Sequence, residues 1–138
     1  KLARSYISSK EGAWQRKLNI MDQIRKQRVS RTLFGGRRVF FDSSEETGRE
    51  GFSHMISGTV SDYNNETLIL LHSKLGSNNI RLLHNAHDGD KVAVNKEYIT
   101  AWYSDMQEFK DSIKSIIERP ITYQGRTLTM TAGVKIYE

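Results

Sequence analysis

The sequence predicts an α+β fold with an N-terminal basic helix, a small and strongly bent antiparallel sheet or five-stranded barrel, and a C-terminal helix followed by a β-hairpin. Two observations predict this order. Apolar residues are spaced as on a helix near the start of the chain, and they alternate with polar residues through its middle. Helical spacing then returns before a final alternating segment.

Length and composition indicate one domain with a partly separate N-terminal element. The chain has 138 residues, of which 37% are hydrophobic and 27% charged, so it is too hydrophobic for a disordered chain and too polar for a membrane protein. We expect a basic helical arm at residues 1–36 and a β-rich α+β domain at residues 37–138. Because the first residue is not methionine, both are expected to belong to a fragment of a longer protein. The absence of cysteine excludes disulfides and fits a reducing compartment, so a cytoplasmic location is expected.

The first element is a helix from Lys10 to Leu33, a segment without proline and rich in good helix formers. Trp14, Leu18 and Met21 form its apolar stripe. The helix is predicted to end at the glycine pair 35–36.

The middle of the chain has a period of two, which is typical of strands. The acidic segment Asp42–Glu50 is predicted to be a loop, Asn64-Asn65 to connect a hairpin, and Asp88-Gly89 to be a turn, since these residues favour tight turns. Strands are predicted at Arg38–Phe41, Phe52–Tyr63, Thr67–Leu71, Asn79–Leu83, Lys91–Val94 and Tyr98–Tyr103.

Near the C-terminus, Ser104 and Gln107 form a capping-box pattern that predicts a helix start. The apolar stripe of this helix runs from Met106 to Ile117, and Pro120 ends it. The strands of a final hairpin are predicted at Ile121–Tyr123 and Leu128–Ile136, joined at Gln124-Gly125.

The charge of the chain is unevenly divided. Residues 1–38 carry 11 basic residues against two acidic ones, a balance of +9, whereas the remainder has a balance of −4. Such asymmetry indicates a basic arm that meets a polyanion, either nucleic acid or an acidic protein surface. No apolar run approaches the roughly 18 residues of a membrane-spanning helix, so we expect no membrane partner. A second copy of the chain, in a homo-oligomer, is a further candidate partner.

Basic side chains of the arm are the candidate phosphate contacts, because the planar fork of arginine matches phosphate oxygens. They are Arg16, Lys17, Arg25, Lys26, Arg28, Arg31, Arg37 and Arg38. Trp14, Phe34 and Phe40 are nearby aromatic residues that could stack on unpaired bases, although a core position is the preferred interpretation for Trp14 and Phe40. The segment lacks the spaced glycines and Lys-Ser/Thr of a nucleotide-binding loop.

One stretch, Gly58–Leu70, resembles the first signature of the Sm-like proteins, a family that includes a bacterial RNA chaperone. In that signature a glycine in a bent strand precedes an apolar residue, an aromatic residue, a turn aspartate and an apolar run. Gly58, Val60, Tyr63 and the apolar run match, and Asn64 stands where aspartate is usual. The resemblance implies a ring-forming RNA-binding barrel with Tyr63 and Asn64 near a base-stacking pocket.

One cluster could carry metal chemistry. Two imidazoles and two carboxylates, those of His84, His87, Asp88 and Asp90, lie within seven positions and could bind a divalent ion. Their spacing is more typical of a turn with surface histidines than of a metal motif. We therefore predict no metal, no cofactor and no catalytic residue.

The sequence favours a non-enzymatic nucleic-acid-binding module, with RNA or single strands preferred because no helix-turn-helix or zinc finger is recognisable. A structural interaction domain of a larger assembly is the first alternative. It would dock through Trp14, Leu18 and Met21. A metal-dependent phosphodiesterase that uses the His84–Asp90 cluster is the second alternative.

Overall fold

The computed structural model describes residues 2–86 and 89–137, and the side chains from Ser9 onward. In this part of the chain there are four helices and three two-stranded antiparallel sheets, which confirms the α+β class. The helices are α1 (Leu2–Gln27), α2 (Glu45–Leu75), α3 (Lys96–Trp102) and α4 (Met106–Ile117). The sheets pair β1 (Val29–Arg31) with β2 (Arg37–Val39), β3 (Ile80–Ala86) with β4 (Gly89–Val94), and β5 (Ile121–Tyr123) with β6 (Arg126–Leu128).

The predicted bent sheet or five-stranded barrel is wrong for the described part of the chain. Its central strands, Phe52–Tyr63 and Thr67–Leu71, lie within the single helix α2, and the predicted loop Asp42–Glu50 runs into the first turns of that helix. The residues that resemble the Sm-like signature, Gly58–Leu70, are helical throughout.

The chain divides into two compact units, Lys1–Tyr63 and Asn64–Glu138, and α2 contributes residues to each. No helix among the described residues is long and apolar enough to cross a membrane.

In the first unit, α1 ends earlier than predicted. The helix stops at Gln27, and Arg28, with φ of 55°, donates its backbone N–H to the carbonyl of Ile24 at 2.7 Å. The next residues, predicted to be helical, form strand β1. Ser30 of that strand is buried and bonded to α2, so tertiary contacts replace the last turns of the predicted helix.

Three glycines on α2 lower its helix propensity but allow other elements to pack closely against it. A side chain at Gly48 would come within 2.9 Å of the Met21 carbonyl, one at Gly51 would overlap Ile24, and one at Gly58 would come within 2.7 Å of Thr32. The glycines let α1 and the β1–β2 hairpin approach the backbone of α2. Packing therefore overrides the low helix propensity that suggested strands.

The core of the second unit consists of Leu71, Leu75, Ile99, Phe109 and Ile113. The residues of the predicted strand Tyr98–Tyr103 instead belong to helix α3, and Tyr103 is its C-terminal cap residue. Asn95 caps this helix, since its side chain accepts from the backbone N–H of Glu97 at 2.9 Å, and the cap directs Ile99 into the core.

The predicted helix before Pro120 is confirmed as α4, and its cap lies one residue later than predicted. Asp105, not Ser104, is the cap residue and accepts from the N–H of Glu108 at 2.8 Å. The carboxylate of Glu108 in turn accepts from the hydroxyl and the backbone N–H of Ser104, both at 2.7 Å. The result is a variant of the capping box, in which Asp105 accepts from Glu108 while Glu108 reaches back to Ser104, the residue before the cap.

The other predicted strands agree in part with the structure. The β3–β4 hairpin is confirmed, whereas Asp88 of its predicted turn lies outside the described residues. The final hairpin is confirmed at its turn, where Gln124 and Gly125 both have positive φ, but its second strand ends at Leu128. The alternation beyond that point places Val134 and Ile136 against the core rather than in a longer strand.

Acid is expected to destabilise the fold through three carboxylates. Hydrogen bonds from Lys26 and Arg25 lower the pKa of Asp22, those from Thr47 and Ser44 lower the pKa of Asp42, and those from Ser104 lower the pKa of Glu108. A carboxyl group whose pKa is lower in the folded state stabilises that state above its unfolded pKa, about 3.9 to 4.3, and loses this effect as the pH falls through the folded value.

The urea midpoint of unfolding should therefore decrease from about pH 5 to pH 2. Asp42→Asn should flatten part of this decrease, because it removes one titrating group. An identical pH dependence in the variant would contradict the assignment for Asp42.

Candidate nucleic-acid interface

The β1–β2 hairpin brings two predicted phosphate contacts directly opposite each other. The register pairs Val29 with Val39, Ser30 with Arg38, and Arg31 with Arg37. Side chains alternate between the faces of a strand, so Arg31, Arg37, Val29 and Val39 share one face. We call these four residues the outer face of the hairpin.

The opposite face is fixed to α2 by hydrogen bonds near the hairpin's centre. The Ser30 hydroxyl donates to the carbonyl of Gly51 at 2.6 Å. Because that bond uses the only hydroxyl proton, Nδ1 of His54, which lies 3.1 Å from the Ser30 oxygen, is the donor in the second contact. Phe40 is buried on the same side of the hairpin.

The turn of the hairpin is also bonded to α2. The Thr32 hydroxyl donates to the carboxylate of Asp62 at 2.5 Å and accepts from the N–H of Gly36 at 2.7 Å. The N–H of Leu33 donates to the Thr59 hydroxyl at 2.9 Å. These bonds hold both ends of the turn, so the register that places Arg31 opposite Arg37 is fixed.

Arg31 and Arg37 form a like-charged cross-strand pair. The β-carbons of directly opposite residues lie about 4.5–5.5 Å apart, and like charges at this separation are destabilising. Both side chains are exposed, and neither has an ion-pair partner among the described residues. The outer face therefore carries two uncompensated positive charges.

Three of the other predicted phosphate contacts are paired with carboxylates of the same unit. Arg25 and Lys26 both bind Asp22, at 2.8 and 2.6 Å, and Arg38 binds Glu50 at 2.8 Å. These three cations share two carboxylates, so one of their three positive charges is not compensated by these pairs.

The remaining three predicted phosphate contacts differ in their surroundings. The ammonium group of Lys17 lies over the rings of Trp14 and Phe52, at 5.0 and 5.3 Å from their centroids. Arg16 and Arg28 are exposed and have no carboxylate partner in the described part of the chain. The cations without a carboxylate partner thus include the outer-face pair and Arg28, which directly precedes β1.

The structure buries the aromatic residue expected near a base-stacking pocket. Tyr63 is 5% exposed, and its ring lies 6.2 Å from that of Phe34. The amide of Asn64 donates to the carbonyl of Ala86 at 3.0 Å. Neither side chain is therefore open to a base, because one is packed and the other is bonded to the backbone.

One exposed aromatic residue, Phe41, was not among the predicted contacts. Its side chain is 98% exposed, whereas the neighbouring Phe40 is buried. The signal in the sequence is the Phe40-Phe41 pair at the end of a strand, since alternation sends consecutive rings to opposite faces. The expectation that Phe40 is a core residue agrees with its burial, and Trp14, expected in the core, is 59% exposed.

The candidate metal residues that the structure describes do not form a metal site. His84 is exposed on β3, and Asp90 of β4 accepts from the amide of Asn85 at 2.8 Å. Burial raises the pKa of Asp90, opposed by the hydrogen bond from Asn85 and the charge of His84. His87 and Asp88 lie outside the described residues, and within those residues no group of three or more histidines and carboxylates could hold a metal ion.

Comparisons with known proteins add no assignment. No protein-family model, no curated protein and no solved structure matches this chain, and the resemblance of residues 58–70 to the Sm-like proteins therefore remains a prediction.

Proposed function

We propose that this protein is a non-enzymatic nucleic-acid-binding module that contacts phosphates with the outer face of the β1–β2 hairpin, with RNA or single strands as the favoured ligands. The observation that carries the proposal is the exposed Arg31–Arg37 pair without a counter-ion. A hairpin held in one register by α2 would keep this pair together even though its charges repel.

A phosphodiester backbone is the ligand that suits this pair best. Guanidinium groups bind phosphate oxygens through two parallel hydrogen bonds, and adjacent phosphates can neutralise adjacent arginines. Binding would release counterions from the nucleic acid, so affinity would fall steeply with salt.

The backbone conformation of Arg28 is a second observation in favour of binding at this surface. Left-handed φ values cost a residue with a side chain roughly 1–2 kcal/mol, and glycine is the usual residue at this position after a helix. Arg28 adopts φ of 55° there and has an exposed side chain. Strained residues of this kind cluster at binding surfaces, and here the strain accompanies a third unpaired cation beside the hairpin.

The test is the salt dependence of binding to a labelled single-stranded oligonucleotide. Arg31→Gln/Arg37→Gln should bind about tenfold more weakly at 0.1 M salt and lower the slope of log K against log salt by about 1.4, since each phosphate contact to a single strand contributes about 0.7. The variant should fold at least as stably as the parent, because the change relieves repulsion.

The matched control is Arg81→Gln/Arg126→Gln, which removes the same charge from exposed arginines on strands of the second unit. This control should retain nearly the full slope. A parent protein that binds no oligonucleotide, or a hairpin variant with an unchanged slope, would overturn the proposal.

A second candidate function is a protein-interaction domain that docks through α1. Trp14 and Leu18 of the apolar stripe are 59% and 39% exposed, so this stripe is incompletely covered within the first unit. Binding of an acidic protein by this route would survive high salt, because buried apolar contacts are not screened. Salt-resistant binding that Trp14→Ala abolishes, together with no affinity for oligonucleotides, would favour it.

A further inference from the structure

Phe41 stands at the end of the outer face with almost its entire side chain in water. It is 98% exposed, and Val39, two residues earlier, is 53% exposed. β2 ends at Val39, and Phe41 lies in a bend two residues beyond it, next to Phe40, whose backbone N–H still donates to the carbonyl of Arg28 at 2.9 Å. The surface thus begins with two guanidinium groups and ends with an aromatic ring.

The spacing suits one short ligand. Four residue steps of chain span at most about 14 Å, so Arg37 and Phe41 can contact the same oligonucleotide. The opposite side of this strand is occupied, since Phe40 is buried and Arg38 lies 4.9 Å above its ring while bound to Glu50. The strand therefore has one face committed to the fold and one available to a ligand.

The acidic residue that follows Phe41 in the sequence is bonded to α2. Asp42 accepts the hydroxyl of Thr47 in the first turn of that helix, and it keeps its negative charge. Since Asp42 forms no ion pair with Arg31 or Arg37, an anionic ligand would bind at the two guanidinium groups and extend toward the ring past this carboxylate.

From this arrangement, and resting on the proposed function, we infer that Phe41 stacks on an unpaired base while Arg31 and Arg37 hold the neighbouring phosphates, so that the ligand class is single-stranded nucleic acid. Aromatic rings interleaved with cations are the recognition elements of single-strand binders, because every base offers a face for stacking. Paired bases in a duplex are already stacked on one another and would offer Phe41 no free face.

An abasic strand isolates the contribution of the base. Fluorescence anisotropy with the whole chain would compare a single strand of uridines or thymidines, an abasic strand of the same length and charge, and a duplex. We expect the base-containing strands to bind about tenfold more tightly than the abasic strand, within the range observed for removal of one stacking contact. The DNA and RNA arms identify which sugar is preferred.

Phe41→Leu should abolish the difference in affinity between the base-containing and abasic strands. It should leave the salt slope unchanged, since the phosphate contacts remain. Phe41→Trp should retain the difference in affinity, because the indole ring also stacks. Tyr137→Leu is the matched control, as it removes another exposed aromatic ring and should have no effect.

The outcomes separate the two proposals. Salt-dependent binding with equal affinity for the base-containing and abasic strands, or a preference for duplex, would overturn the stacking inference while leaving phosphate binding intact. If none of the oligonucleotides shows salt-dependent binding, the proposed function itself is overturned. Loss of the base preference in Phe41→Leu together with its retention in Phe41→Trp would support the inference.

Discussion

Leu75→Ala is expected to destabilise the second unit by about 2–5 kcal/mol, the range for removing a buried leucine side chain. Leu75 is 2% exposed and lies at the C-terminal end of α2, where it belongs to the core with Leu71, Ile99 and Phe109. The substitution removes the favourable free energy of transferring the leucine side chain from water to the core. It also leaves a cavity that the neighbouring helices can fill only in part. Urea unfolding followed by far-ultraviolet circular dichroism would measure the loss.

Leu70→Ala is the matched control, because it makes the same deletion in the same helix at a side chain that is 39% exposed. Its cost should be within about 1 kcal/mol, since little buried surface is lost and alanine favours helix. Equal losses in the two variants would contradict the assignment of Leu75 to the core.

Gly51→Ala is expected to destabilise the first unit by up to about 2 kcal/mol, because overpacking in a tight core costs about 1–3 kcal/mol and the greater helix propensity of alanine offsets roughly 1 kcal/mol of that cost. A β-carbon at this position would overlap Cγ2 of Ile24 and lie 3.3 Å from Cε2 of Phe40. The carbonyl of Gly51 also accepts the hydroxyl of Ser30, so a shift of α2 would weaken the attachment of the hairpin.

Gly12→Ala provides the control with the opposite sign. Gly12 lies in α1, and a β-carbon there would meet nothing within 4 Å. The variant should be stabilised by up to about 1 kcal/mol through helix propensity alone. Thermal or urea unfolding of both variants measures the pair, and a stabilised Gly51→Ala would show that the helices do not approach as closely as described.

The parts of the fold that the sequence predicted correctly are those specified by local chemistry. The helix before Pro120 has an apolar stripe and a capping box, and the hairpin at Gln124-Gly125 has a turn that needs positive φ. These signals depend on neighbouring residues, so they could be recognised without tertiary contacts.

The errors fall where tertiary contacts decide the structure. Glycines 48, 51 and 58 were interpreted as loop or strand residues, whereas each admits a neighbouring element against α2. Ser30 and Thr32 were expected to lie in the first helix. They are instead buried, and their side chains are hydrogen-bonded to α2. Nothing in the local sequence shows that the hydroxyl of Thr32 will meet Asp62, thirty residues later.

The candidate site was predicted in part for the same reason. The excess of cations in the opening residues is evident from composition, but composition does not reveal which of them are neutralised. Asp22 and Glu50 pair with Arg25, Lys26 and Arg38, while Arg31 and Arg37 keep their charge because the hairpin register places them opposite each other.

If the outer face binds a polyanion as proposed, the facing arginines would make the free protein and that complex respond to added salt in opposite directions. Added ions shield the mutual repulsion of Arg31 and Arg37, so they favour the empty hairpin. The same ions compete with a polyanion for those guanidinium groups and so weaken the complex. Occupancy and fold stability are thus thermodynamically linked, since a bound backbone would supply the countercharge that the fold itself does not provide within its described residues.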